Sequence, residues 1–482
     1  MNPEKLLRGP ALDEEIRDYI KKYILDSKLG PGEALPPEIQ WAQELGVGRG
    51  TIREAIKALE SLGIVEVRRG DGMYVREYNL DPLLENLSFG MRFQTATLVE
   101  LAQIRTWLET EIVEQAVRQA QPEDIAQLER IIDAWREAVG AGAPALDLVA
   151  ELDMSFHRAL YRPLDNQMLN RFLEAFWVIF FTFLGDSIEP AYDLDDHARI
   201  LEAARLGDPI AARQTLLRNL LHMQARIRRS LELGRIPVKE VLAPRDDMQK
   251  IYRRPALSEA IRDYLKQYIL DQGLGAGDAL PTEAQLAQDL GVARTSVREA
   301  IKALESLGIV EVRHGEGLYV REYNFDPVLE TLSYGIRFDA RTLLELLQLR
   351  SWLEGAVIVE AVDRMSADDI RRLEDIIRRW SRAIQTGEST VELARELDEG
   401  FHRSLYTCLK NNMLMKLIEV FWVAFAEFIG PYRAEPSIDL AEHVAILEAV
   451  KAKDRLRARQ AVLANIRRNE ERMQRLAESG RY

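Results

Sequence analysis

Cysteine is nearly missing: Cys408 is the single one in 482 residues, so the chain cannot build an internal disulfide framework, which suits a reducing compartment. Long apolar runs are missing as well. No stretch of about 18 apolar residues occurs, so no segment is expected to span a membrane. The opening MNPEKLLRGPALDEEI lacks the apolar core of a secretory signal, and a cytoplasmic location is expected. Positive charge is in deficit, with 64 Lys and Arg against 78 Asp and Glu and a net charge of −14. That balance argues against an indiscriminately basic nucleic-acid binder, although phosphate contact depends on local rather than average charge. Histidine is scarce, with six in all, so where the histidines fall carries information.

What the chain does contain, it contains twice. Arg53 to Arg68 reads REAIKALESLGIVEVR, and Arg298 to Arg313 repeats it letter for letter; 298 − 53 gives an offset of 245. Trp107 recurs as Trp352, Trp135 as Trp380, Asp153 as Asp398 and His157 as His402. A repeat this long is a duplicated multi-domain module, not a solenoid unit. Pro163 stands at the matched position of Cys408, so that thiol is expected to serve packing.

Within the repeated stretch, Ile52, Ile56, Leu59 and Leu62 recur every three or four residues and place an apolar stripe on a helix. Gly63 ends it, Ile64 to Val67 reads as a strand, and Met73 to Val75 reads as its partner across a small basic turn. Upstream, Pro37 to Leu45 predicts a short helix joined by Gly46-Val47-Gly48 to the next, and Leu12, Ile16, Ile20 and Ile24 mark a first helix. Three helices and a two-stranded wing make a winged helix-turn-helix. Its basic residues cluster: Arg49, Arg53, Lys57, Arg68 and Arg69 in one copy, Arg294, Arg298, Lys302, Arg313 and His314 in the other.

The stretches LPPEIQWAQELGVGRGTIREAIKALESLGIVEVRRGDGMYV and LPTEAQLAQDLGVARTSVREAIKALESLGIVEVRHGEGLYV resemble the DNA-binding module of GntR-type bacterial transcription regulators. The resemblance implies binding to double-stranded DNA through Arg49, Thr51, Arg53, Arg69 and Gly70 in the first head. In the second head it implies Arg294, Thr295, Arg298, His314 and Gly315. Three departures are visible. The serine usual before the recognition helix is Gly48 or Ala293, Gly50 replaces Thr295, and an arginine usual after the LP-x-E glutamate is Ile39 or Ala284. The second head is therefore expected to read bases better than the first.

From Thr97 to Glu232 the pattern is helical throughout, with segments Thr97–Ala120, Pro122–Val139, Leu146–Leu160, Gln167–Leu184, Asp195–Leu206 and Pro209–Glu232. Short loops between them favour an antiparallel bundle. Asp153 and His157 lie four apart and share a helix face, and His197 follows two helices later; Asp398, His402 and His443 repeat the set. Carboxylate and imidazole meeting inside a bundle make a transition-metal site, or each histidine simply satisfies a buried hydrogen bond. The tryptophan pairs, including Trp177 with Trp422, read as core.

The segments VELAQIRTWLE, LDMSFHRALYRPLDNQML and DHARILEAARLGDPIAARQTLLRNL, with their second-copy counterparts, resemble the FCD ligand domain of the FadR-like branch of that family. The resemblance implies a divalent transition metal such as Zn, Ni or Mn, held by an Asp and three His, with a small carboxylate effector completing the site. Asp153, His157 and His197 match three of these ligands, as do Asp398, His402 and His443. The fourth position holds Asn219 and Asn465 in place of His, which leaves either an altered metal site or a metal-free effector pocket. Arg105 and Arg350 are the matched arginines for an effector carboxylate, or partners of Glu109 and Glu354 in a salt bridge.

The expected fold is thus mainly α: two winged helix-turn-helix domains, each with a small β-wing, and two all-helical antiparallel bundles. The expected boundaries are 1–78 and 255–323 for the heads, 79–232 and 324–482 for the bundles, and 233–254 for a linker. The expected function is an effector-controlled transcription regulator in which one chain acts as a pseudo-dimer, possible further self-association included, on an imperfect palindromic operator. The alternatives are a metal-dependent hydrolase and an architectural DNA-binding protein that ignores small molecules.

Overall fold

The computed structural model describes residues 12–27, 29–61, 63–68, 70–76, 95–142, 146–184, 190–232, 257–313, 315–321, 340–429 and 436–478. Arg69, His314, Leu62, the connector after the first wing and the inter-repeat linker lie outside these residues. The chain divides into two compact units, one from the N-terminal parts of both repeats and one from their helical C-terminal parts.

In the first unit, the first head runs α1 (Leu12–Asp26), β1 (Ala34–Leu35), α2 (Glu38–Leu45), α3 (Arg49–Ser61), β2 (Val65–Arg68) and β3 (Gly72–Val75). Ile16, Ile20 and Ile24 of α1 are buried against Trp41, Ile52, Ile56, Leu59, Val65 and Val75. The three-and-four spacing has put Ile52, Ala55, Ile56 and Leu59 of α3 inward and left Arg53 and Glu54 outside. Gly46 closes α2 in the left-handed region at φ 66°, its N–H donating to the Ala42 carbonyl, so α3 can leave at a sharp angle. The expected two-stranded wing is a three-stranded antiparallel sheet in the order β1-β3-β2, with Ala34 opposite Tyr74 and Leu35 opposite Met73. A strand of two residues is too short to show alternation in sequence, and it exists because β3 offers it a ladder.

The second head repeats the plan as α4 (Leu257–Asp271), β4 (Ala279–Leu280), α5 (Glu283–Leu290), α6 (Arg294–Ser306), β5 (Val310–Arg313) and β6 (Gly317–Val320). Leu286 takes the place of Trp41 in its core. Thr282 caps α5 through a reciprocal capping box with Gln285, whereas Pro37 offers α2 no side-chain cap. At the next helix of this head, Ala293 makes no side-chain cap bond to α6. The heads touch along their third helices, where Lys302 Nζ lies 2.7 Å from Glu54 Oε1 and Lys57 pairs with Glu299.

The second unit contains α7 (Thr95–Gln119), α8 (Pro122–Gly140), α9 (Leu146–Tyr161), α10 (Gln167–Leu184), α11 (Pro190–Arg205) and α12 (Pro209–Glu232). The second repeat adds α13 (Ala340–Arg364), α14 (Ala367–Thr386), α15 (Val391–Tyr406), α16 (Asn412–Ile429), α17 (Pro436–Lys451) and α18 (Arg455–Glu478). Only α11 departs noticeably from expectation, starting at Pro190 because proline is well suited to a first helical turn. Within each bundle the long first helix packs along the last, α7 on α12 and α13 on α18.

The bundles also pack on each other through α7 and α13, and their contacts come in reciprocal pairs. Asn166 Nδ2 donates to the Glu345 carbonyl and Gln348 Oε1, both at 2.9 Å; Asn411 Nδ2 donates to the Glu100 carbonyl and Gln103 Oε1, both at 3.0 Å. Such exchange of equivalent contacts is the mark of an isologous interface. Trp107 and Trp352 are buried as expected, yet their indole N–H groups donate across this seam, to Glu360 and Gln115. An aromatic body in the core with its polar edge at an interface is a common use of tryptophan. Asn411→Ala removes two cross-seam bonds and the bond its Oδ1 accepts from the Leu414 N–H. We expect it to cost about 1–3 kcal/mol in denaturant titration of the full chain. An unchanged midpoint would show that this seam does not contribute to stability.

Candidate functional site

The site in each bundle begins with helical spacing. Asp153 and His157 sit one turn apart on α9, and His197 reaches them from α11. His197 Nε2 lies 3.0 Å from Asp153 Oδ1 and 3.3 Å from His157 Nε2, and His157 Nε2 lies 3.9 Å from the same oxygen. In the second bundle His443 Nε2 is 2.7 Å and His402 Nε2 3.8 Å from Asp398 Oδ1. Each set brings one atom from all three residues within 4.8 Å of one another, in a buried setting. The spacing argument therefore brought together the residues it named.

What aims the imidazoles is at their far side. His157 Nδ1 lies 3.0 Å from Glu109 Oε2, and His402 Nδ1 lies 3.0 Å from Glu354 Oε2. His197 Nδ1 meets the Asp193 carbonyl at 2.5 Å and His443 Nδ1 the Asp439 carbonyl at 2.6 Å. An imidazole whose Nδ1–H donates to an oxygen presents Nε2 on its other side, which holds for His197, His402 and His443, while His157 turns Nδ1 towards Glu109 without completing the bond. Trp135 lies 4.9 Å from the His197 ring and Trp177 5.3 Å from the His157 ring, walling the site.

Glu109 and Glu354 were named from sequence only as salt-bridge partners, and Tyr161 and Tyr406 were not singled out at all. Both glutamates are fully buried, and each receives the tyrosine hydroxyl, at 2.7 and 2.8 Å, as well as the arginine one turn before it. Burial alone would raise the Glu354 carboxyl, but Arg350 and His402 hold it down at about 2; Arg105 and His157 hold Glu109 well below the usual carboxylate range against the same penalty. Burial presses His402 down to about 4 in spite of Glu354, whereas for His197 the bond to Asp153 overcomes burial and draws the ring upward. For Asp153 the penalty of burial is outweighed by a hydrogen bond from His197, whose ring must be protonated to donate from both nitrogens, and by the charges of His157 and Arg105, so its carboxyl titrates below the ordinary range; a metal would take the place of that Nε2 proton. The signal that could have found the tyrosines is the i, i+4, i+8 stripe Asp153-His157-Tyr161, repeated as Asp398-His402-Tyr406.

Arg105 makes the salt bridge to Glu109 and also reaches the cluster, its Nη2 lying 3.5 Å from His157 Nε2. Arg350 bonds Glu354 and lies over the Trp422 ring at 4.6 Å. The salt-bridge reading thus holds for both arginines, and for Arg105 it coexists with an approach to the cluster. Asn219 and Asn465 stand on the last helices and donate their amide N–H to Asp196 at 3.4 Å and Glu442 at 3.0 Å. The Asn465 Oδ1 and the His402 Nε2 are buried and accept no hydrogen bond, as expected of atoms that would face a cation. His222 is exposed and belongs to neither cluster.

In the heads, Arg49, Arg53, Arg294, Thr295 and Arg298 are exposed on α3 and α6, Thr51 is half-buried, and Gly70 and Gly315 form the wing tips at φ 80° and 81°. The positive face is less free than its sequence implied. Lys57 and Lys302 serve the contact between heads, and Arg68 bonds Glu66 at 3.1 Å while lying 4.2 Å from the Tyr74 ring centre.

Residues 12–75 and 257–320 match the family described as bacterial regulatory proteins, gntR family, and residues 100–222 and 345–468 match the FCD domain. The chain is 32% identical over 227 residues to the Uxu operon transcriptional regulator of Escherichia coli (strain K12), covering 44% of this chain and 86% of that protein. It is 28% identical over 201 residues to the HTH-type transcriptional regulator LutR of Bacillus subtilis (strain 168), covering 40% and 90%. Among solved structures it is similar to Streptococcus agalactiae GntR, at 29% identity and a TM-score of 0.33, covering 45% of this chain and 99% of that one. Such relatives regulate transcription, which sets the hydrolase reading aside. With both domain types matched twice, the chain belongs to the gntR family of bacterial regulatory proteins, as a DNA-binding transcription regulator that carries two FCD domains.

Proposed function

We propose that this chain is a cytoplasmic regulator whose operator binding is controlled by a small carboxylate, with a divalent transition metal (Zn, Ni or Mn) in each bundle. The observation that carries this reading is the convergence of two imidazole Nε2 atoms on one buried carboxylate, each ring braced from behind by an oxygen. Bracing of this kind fixes ligand geometry and raises basicity. Asp153, His157, His197 and Asn219 would hold the metal in the first bundle, and Asp398, His402, His443 and Asn465 in the second. A bound metal supplies a positive, Lewis-acidic point for a carboxylate oxygen. Arg105 or Arg350, beside the cluster, would bind the effector's other oxygen and orient it.

His157→Ala should lower the metal content of chelator-free protein from about two equivalents to about one, leaving the second bundle loaded. Glu109→Gln should weaken metal binding in the first bundle by about 10- to 100-fold, since Glu109 orients a ligand without being one. If wild-type protein takes up no divalent metal on titration, the pocket binds its effector directly; if it binds no carboxylate either, the architectural reading takes over.

For DNA, the reading assigns base or phosphate contact to Arg49, Thr51, Arg53, Arg69, Gly70 and to Arg294, Thr295, Arg298, His314, Gly315. Arg298→Ala should cost about 5- to 150-fold in operator affinity and relax sequence preference, and more than Arg53→Ala, because Gly50 leaves the first head with less to read with. Equal and negligible losses at fixed salt would remove this assignment.

Four domains with the boundaries expected from sequence, two heads and two bundles, complete the reading as a single-chain pseudo-dimer. The reciprocal seam between α7 and α13 and the paired third helices support it. The linker raises the effective concentration of one half around the other to about the millimolar range, which favours pairing within the chain. Differences between the heads make an imperfect palindrome the fitting operator. Light scattering should give the mass of one chain, and one chain should footprint two half-sites. Two chains per pair of half-sites, each using one head, would overturn it.

A further inference from the structure

Arg53 and Arg298 are held before any DNA arrives. Glu38, the first residue of α2, receives Arg53 Nε on Oε1 at 3.1 Å and Nη2 on Oε2 at 2.7 Å. The second head repeats the fork: Arg298 Nη2 donates to Glu283 Oε2 at 2.7 Å, and its Nε lies 3.2 and 3.1 Å from the two oxygens. A guanidinium carries five N–H donors in one plane. A fork through Nε and Nη2 occupies one edge and leaves Nη1, with the second N–H of Nη2, on another edge of the same plane. Both arginine side chains are about half exposed, at 53% and 54%, so the group is held and still accessible.

A free arginine would have to be ordered on binding, at a cost that a preformed fork removes. The remaining edge has the geometry that pairs with guanine O6 and N7. An acidic side chain beside a DNA-reading surface otherwise works against binding, because phosphates repel it. Around it the copies have diverged, Pro37 against Thr282, Ile39 against Ala284 and Trp41 against Leu286, while the glutamate and its fork persist. Preference of a helix N-terminus for an acid explains a glutamate there, but not a fork onto the same arginine in both heads.

We infer that Glu38 and Glu283 are positioning residues for operator reading, each presenting the guanidinium of Arg53 or Arg298 edge-on to a base while touching no DNA itself. The inference rests on the proposal that these arginines contact bases. The test starts from random-sequence duplex, from which full-length wild-type, Glu283→Gln and Arg298→Ala chains each select binding sites. Arg298→Ala should erase the preference at one base pair of a half-site, and Glu283→Gln should blur that same base pair. Discrimination of Glu283→Gln between the wild-type-selected duplex and a scrambled one should fall about tenfold, with affinity for the scrambled duplex held or increased and the salt slope unchanged. If Arg298→Ala erases a preference and Glu283→Gln leaves it sharp, the positioning role is overturned. If Glu283→Gln weakens every position alike and lowers the melting temperature, the glutamate is structural and the inference fails. If Arg298→Ala leaves every preference intact, the base-contact reading itself fails and takes this inference with it.

Discussion

Each helical bundle is organised around a carboxylate with no access to water. Glu109 and Glu354 are fully buried, and an ionised carboxyl in that position is tolerated only when cations and hydrogen-bond donors surround it. Arg105, His157 and Tyr161 supply them around Glu109, and Arg350, His402 and Tyr406 around Glu354. The consequence reaches past stability. Because one imidazole nitrogen faces the glutamate, the other faces Asp153 or Asp398, and Arg105 is held within reach of the same cluster. The charge that is expensive to bury is the one that turns His157 and His402, while backbone carbonyls turn His197 and His443.

Duplication imposes a second constraint. The two bundles meet through the same surface used in both directions, as the pairs Asn166–Glu345 and Asn411–Glu100 show. Symmetry is not complete, since Trp107 finds a glutamate where Trp352 finds a glutamine, and Arg459 pairs across the seam with Glu111. The heads follow suit with Lys57–Glu299 and Glu54–Lys302. Charges that read in sequence as part of a DNA-facing patch therefore belong in part to the contact between heads, and such exposed pairs contribute more to register than to stability.

Periodicity determined the local structure, because helix formation is decided by residues within one or two turns. Ile52, Ile56 and Leu59 specified the buried side of α3, and Gln167–Leu184 and Pro209–Glu232 were legible to the residue. Spacing also placed Asp153 and His157 on one face. The chain alone determined that everything exists twice, and that any site in one half has a counterpart in the other. Folding decided the rest. His197 joins His157 from forty positions away, Glu109 meets Tyr161 across fifty-two, and Glu38 reaches Arg53 between two helices. The strand Ala34–Leu35 exists because Tyr74 and Met73 lie beside it, and Lys57 finds Glu299 only because two heads pack together. A stripe on a helix is written in its own few turns; which groups that stripe will meet depends on packing between segments far apart in the chain, and only the tertiary structure contains it.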